Sequence, residues 1–262
     1  MNGPGFSPGR LGTGAPLLTA RLAVIAMLIV LWQGMSGRIV DPVFISDPVR
    51  VIERLALWSS NGHLWFHLQT TLQEAFLGFV LGTAGGMSAG VALGLSPFVR
   101  KLLDPIVMAV ASLPEIALAP LFVLWFGVGL EMKVILAASV VFFYVFWSTL
   151  AGVRDVDPRF VNVLRVMAAT RAQLLTKVIV PSALTWLYVG LKVSVPHALL
   201  GAVVGELLVG DRGIGYLLLW SAQNYDTPGL MAGIVVLMAL SAGFNELVVR
   251  SEGRVLRWKH ES

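Results

Sequence analysis

Long apolar runs separated by short polar stretches set the pattern of the chain. Each run approaches the ~20 residues that carry a helix across a bilayer. The first is apolar over residues 22–32 and reaches full length only if Leu17 and Met35 are included. The second covers about 72–95 and the third 105–126. After a tight turn at 127–133, the fourth ends near Leu150. The fifth covers 184–209 and the sixth 228–249. Between the fourth and fifth lies a different pattern, DPRFVNVLRVMAATRAQLLTKVIVP over 157–181. Asp157 is an N-cap and Pro158 has the fixed φ of a first helical position. Phe160, Val163, Leu164 and Met167 then repeat at i, i+3, i+4, i+7, which predicts one apolar stripe. Thr170 and Gln173 have capping-box spacing, so a second short helix begins there. It carries Leu174, Leu175 and Val178 on one side and Arg171, Gln173 and Lys177 on the other, and Pro181 is expected to end it. An amphipathic piece between two spans needs a packing partner, and a second protein is the natural one.

The segments outside the spans divide further. Residues 1–15 are rich in Gly, Pro and Ser and read as a disordered cytoplasmic N-terminus. A signal peptide competes for the first run, but only a weak small-x-small site at Gly34-Met-Ser36 follows it, and it is read as an uncleaved span. Residues 37–72 form the longest outside segment, with Asp41-Pro42 and Asp47-Pro48 as turn signals and helix starts. Val49, Ile52, Leu55 and Ala56 predict a short interfacial helix after Asp47, and Trp58, Trp65 and Phe66 fit an aromatic belt. Residues 96–104 read as a short loop, and 210–226 as an outside segment whose Gly213 and Gly215 suit turns. In the second run, Gly78, Gly82, Gly86, Gly90 and Gly94 recur every fourth residue, which predicts a close-packed face, internal or at a dimer seam.

Composition agrees with the pattern: the 262 residues are 56% hydrophobic and only 13% charged, against ~25% charged in soluble domains. With no cysteine, disulfides and thiolate metal sites are excluded. His63 and His67 are spaced to share a metal but lack an acidic third ligand nearby, and they fit a wet interfacial helix better. The net charge of +4 reflects uneven loops rather than nucleic-acid binding. Arg38, Arg50, Arg54, Lys133 and Arg212 fall on one side; the remaining basic residues, Lys192 apart, fall on the other. The positive-inside rule places the second side, with both termini and the 154–181 loop, in the cytoplasm.

The run VLRVMAATRAQLLTKVIVPSALTWLYVGLKVSV resembles the cytoplasmic loop of permease subunits of binding-protein-dependent ABC importers. Upstream SLPEIALAPLFVLWFGVGLEMK and downstream GAVVGELLVGDRGIGYLL resemble the nitrate/sulfonate/taurine branch, and the resemblance covers roughly 55–258. It implies an all-α membrane protein of about six transmembrane helices, with type I importer architecture and a cytoplasmic coupling helix. It also implies an inner-membrane location, an external solute-binding protein, a cytoplasmic ATPase dimer and a second permease copy. The ATPase-docking residues implied are Leu164, Ala168, Ala169, Thr170, Arg171, Gln173 and Leu174. Two positions depart from the family pattern: Asn162-Val163-Leu164 replaces an acidic residue ahead of two alanines, and Ala168 replaces a glycine. An alanine in a left-handed bend costs about 1–2 kcal/mol.

Domains are accordingly expected at 1–15, at 16–250 with the coupling loop at 154–181, and at 251–262 as a basic cytoplasmic tail. The Walker phosphate loop and GxGxxG are missing, so the chain is not read as an enzyme and needs no cofactor. Charges inside spans mark pathways or buried pairs. Pro114, Glu115, Lys192, His197 and Glu206 are the candidate pathway residues. Glu74, Glu206 and Glu246 are expected near span ends with access to water, whereas Glu115 and Lys192 sit deeper and within reach of each other. A secondary transporter driven by an ion gradient is the alternative, although no internal repeat supports it.

Overall fold

A computed structural model describes residues 15–255. The termini assigned above to disorder and to the basic tail therefore lie largely outside the described residues. Every regular element described is helical. The first membrane helix, α1 (Ala15–Met35), has an exposed surface that is largely apolar, Arg21 and Gln33 apart, as a lipid-exposed helix requires. Two short helices follow, α2 (Pro42–Ile45) and α3 (Pro48–Ser60). Asp41 and Asp47 cap them as expected, accepting from Val43 N at 2.9 Å and from Arg50 N at 3.0 Å.

The second span is longer than its hydropathy suggests. Helix α4 (His63–Leu95) starts nine residues earlier than position 72, because the polar faces of His67, Thr71 and Glu74 are buried against other helices instead of standing in water. The predicted loop at 96–104 is helical too. Ser96 caps α5 (Pro97–Ala111), and Pro105 is tolerated inside it. The third span is thus broken. Ser112, Leu113 and Pro114 interrupt it, a 3-10 turn (Glu115–Leu118) follows, and α6 (Ala119–Phe126) leaves at 78° to α5. Pro114 has no N–H to continue the ladder, which explains the break.

Helix α7 (Leu130–Arg154) lies between α4 and α10 (Val180–Val209) and forms the most buried part of the molecule. The glycine stripe of α4 is internal: it faces α7. A Cβ at Gly82 would stand 2.5 Å from Ala138 O, and one at Gly86 2.6 Å from Phe142 O. Only hydrogen at these positions lets the two backbones approach so closely. On α10, Gly201 and Gly205 do the same against Ala137 and Lys133.

After α7 come α8 (Pro158–Val166) and α9 (Arg171–Leu174), then a π-helical turn (Leu175–Ile179) that runs without interruption into α10. Pro181 does not end the second loop helix. It sits in the first turn of α10, where its ring would clash with a carbonyl one α-turn back. The wider π turn just before it relieves that clash. The expected outside segment at 210–226 also holds a helix, α11 (Ile214–Gln223). It packs with α3 and α12 (Thr227–Val255) around Val51, Trp58, Ile214, Leu217 and Ala232. Five helices are long and apolar enough to cross a membrane, or six with the bent α5–α6 pair counted as one span.

Candidate functional site

Three groups of polar residues stand out, at different levels of the helix bundle. The first is the loop between α7 and α10. Asp157 Oδ1 caps α8 through Arg159 N at 2.8 Å. The helix ends at Ala168, whose φ of 54° is left-handed. Ala168 N bonds to Arg165 O and Ala169 N to Leu164 O, each at 3.0 Å. This is a Schellman end with alanine in place of the usual glycine. The capping box closes reciprocally: Thr170 N donates to Gln173 Oε1 at 2.8 Å and Gln173 N to Thr170 Oγ1 at 3.3 Å. Leu174 anchors the loop to Ile179 and Ala183. In contrast α8 buries no residue, and Phe160, Val163, Val166 and Met167 stand open, Val166 at 88% exposure. The loop is thus fixed at both ends and presents an uncovered apolar ridge between them.

The second group lies at the α5–α6 break. Glu115 opens the 3-10 turn, which packs against α7, and its carboxylate is within electrostatic reach of Tyr144. Tyr144 Oη lies 2.9 Å from His197 Nε2, with ring centroids 4.1 Å apart. His197 Nδ1 lies 2.8 Å from Val193 O. A carbonyl only accepts, so in the neutral ring Nδ1 carries the proton and Nε2 accepts from the Tyr144 hydroxyl. Tyr144 had no sequence signal beyond being a tyrosine within a span; its partner, 53 positions away, gives it meaning.

The third group corrects two expectations. Glu74 and Glu206 do not reach water: they are 1% and 0% exposed. Glu74 Oε1 accepts from Lys133 Nζ at 2.9 Å, with Lys133 itself 3% exposed in the first turn of α7 and not in an open turn. Glu206 accepts from Thr71 Oγ1 and Gly215 N, both at 2.6 Å. Thr71 Oγ1 accepts from Ile214 N, and His67 Nδ1 accepts from Gly213 N at 3.0 Å. The His67 ring is therefore a loop fastener stacked on Tyr216. Gly213, at φ 106°, leaves the space that the Glu206 carboxyl fills. These bonds hold the 210–213 turn rigid, with Asp211 and Arg212 facing out. Slight burial pushes the Asp211 carboxyl up, but its own backbone N–H and the Arg212 guanidinium outweigh this and hold it below the usual carboxylate value.

Lys192 does not meet Glu115. It bonds both oxygens of Glu252 on α12, at 3.0 and 2.8 Å. Glu252 lay beyond the predicted end of the sixth span, so only the extended α12 makes the partner visible. Glu246 is exposed as expected and pairs with Arg250 one turn on.

Residues 82–257 match the family described as the binding-protein-dependent transport system inner membrane component. The chain belongs to this family. The permease is thus a multi-pass inner-membrane subunit of an ABC importer, which works with a separate ATPase and a solute-binding protein, and is not an enzyme. Membership sets the ion-gradient alternative aside. The permease is 32% identical over 240 residues to the putative aliphatic sulfonates transport permease protein SsuC of Bacillus subtilis (strain 168), covering 91% of this chain and 87% of that one. It is likewise 32% identical over 251 residues to the taurine transport system permease protein TauC of Escherichia coli (strain K12), covering 93% and 91%. In fold it is similar to the MetNI methionine ABC transporter in an inward-facing form, with a TM-score of 0.62, 20% identity and coverage of 76% of this chain and 95% of that one.

Proposed function

We propose that the permease carries a small solute of the nitrate, sulfonate or taurine kind, handed over by an external binding protein and driven by an ATPase dimer docked on the 154–181 loop. The observation that carries the solute class is the 32% identity, across nine-tenths of the chain, to permeases named for aliphatic sulfonates and taurine. The uncovered ridge of α8 and its neighbours Leu164, Ala168, Ala169, Thr170, Gln173 and Leu174 form the docking surface, with Arg171 opening the second helix. Pro114, Glu115 and His197 line the pathway, joined by Tyr144. Lys192 and Glu206 instead fasten helices together, because each spends its charge or its oxygens on a partner inside the chain. A second copy of the permease covers α5, which buries no residue within its own chain. The distribution of basic residues puts both termini in the cytoplasm.

A deletion strain grown on single sulfur sources tests the solute class. Loss of growth on sulfonates or taurine, with growth on sulfate intact, is expected. Unaffected growth on every sulfonate would contradict it, and dependence on a ring-bearing nutrient would point to the formylaminopyrimidine and riboflavin permeases, which are 30% and 31% identical.

A further inference from the structure

We infer that the face at the α5–α6 break sorts its solutes by charge pattern, favouring a zwitterion with an ammonium a short alkyl chain away from a sulfonate over a plain alkanesulfonate. The inference rests on the pathway reading above and narrows its solute class. Two poles define the face. One is the Glu115 carboxylate, half-buried where the 3-10 turn meets α7. Among the described residues no Lys, Arg or His forms an ion pair with it: Lys192 is spent on Glu252 and Lys133 on Glu74. The other pole is the Tyr144 hydroxyl, held in place by His197, whose ring is itself fixed through Val193 O. Its single proton can turn from Nε2 to a sulfonate oxygen, which makes it a donor already positioned before the solute arrives.

The two poles decide which solute fits. On the route of a simple anion, an unpaired carboxylate beside the donor repels the cargo, and partial burial strengthens that repulsion. A solute that brings its own ammonium reverses the sign at Glu115, while its sulfonate takes the Tyr144 proton. A carboxylate and a neutral donor pair on one face therefore suit a dipolar cargo better than a purely anionic one.

The test uses the permease with its ATPase and binding protein in proteoliposomes, measuring uptake of taurine and of propanesulfonate, in which a methyl replaces the ammonium. The unmodified complex should move taurine faster. Glu115→Gln should lower taurine uptake roughly tenfold, the effect of losing a charge-assisted bond, and leave propanesulfonate unchanged or faster. Glu115→Asp, which keeps the charge, should retain the taurine preference, and Tyr144→Phe should slow both solutes. All rates are taken per inserted permease, so poor folding of one variant does not mimic the effect. An equal fall of both solutes in Glu115→Gln, or propanesulfonate moved without taurine, overturns the inference and leaves the transport reading standing. Uptake of neither solute by the unmodified complex overturns both.

Discussion

At the scale of single residues, the charges inside the bundle divide into those paired within the chain and Glu115, which has no ion pair among the described residues. Lys133 and Glu74 are a closed pair in a dry interior. Removing one partner strands the other, which costs about 3–5 kcal/mol, whereas removing both with residues of similar volume is nearly neutral. Lys133→Met should therefore collapse the amount of folded permease recovered in detergent and lower its thermal midpoint. Adding Glu74→Gln should restore most of the loss. An unchanged midpoint in the single variant would show that the pair is hydrated. These partners were hidden in the sequence for a physical reason: 59 positions separate them, and a charge near the end of an apolar run reads as one that can reach water. Caps were easier to read. Asp41, Asp47, Asp157 and the Thr170–Gln173 box act across two or three residues, and each is found where local chemistry put it.

Secondary-structure elements show how far local patterns reach. The spacing of five glycines predicts a face, and the face is real, but only the fold shows that it meets α7 and not another chain. Gly86→Leu should force α4 away from the Phe142 backbone and leave little folded protein. Gly243→Leu, on a helix with nothing within 4 Å of a new Cβ, should be neutral. Parallel immunoblots and size-exclusion profiles of the two variants check this; equal behaviour would mean that the α4–α7 contact is looser than described. Where the sequence reading went astray, tertiary context overrode a local rule. Pro181 signals a stop, yet a π turn accommodates it, and the loop continues into α10 as one helical rod. His63 and His67 read as part of a wet interfacial helix because water is the default partner of polar side chains, while at His67 and Thr71 neighbouring helices take that place. The third span read as continuous over 105–126, and neither its break at Pro114 nor its 78° bend was expected.

For the whole molecule, the fold links the exposed ridge of α8, a bent span whose Glu115 has no ion pair among the described residues, and a fastened turn at 210–213. The number of spans was legible because hydropathy is additive along the chain. The Tyr144–His197 contact was not legible, since it joins two helices 53 positions apart in sequence. The proposed sidedness rests on the basic residues. Reporter fusions after Ala151 and Trp258 should report cytoplasm, and those after Trp58 and Tyr216 the outside; the reverse pattern would detach the loop from ATP altogether. The most direct test of the central claim is solute uptake by proteoliposomes holding the permease and its ATPase, with ATP and the binding protein added separately and together. Uptake should need both, and Val166→Asp, on the open ridge of α8, should abolish it and release the ATPase while the permease stays inserted. Full uptake and unchanged ATPase retention in Val166→Asp would contradict the docking role of the loop, and uptake without ATP would contradict the account as a whole.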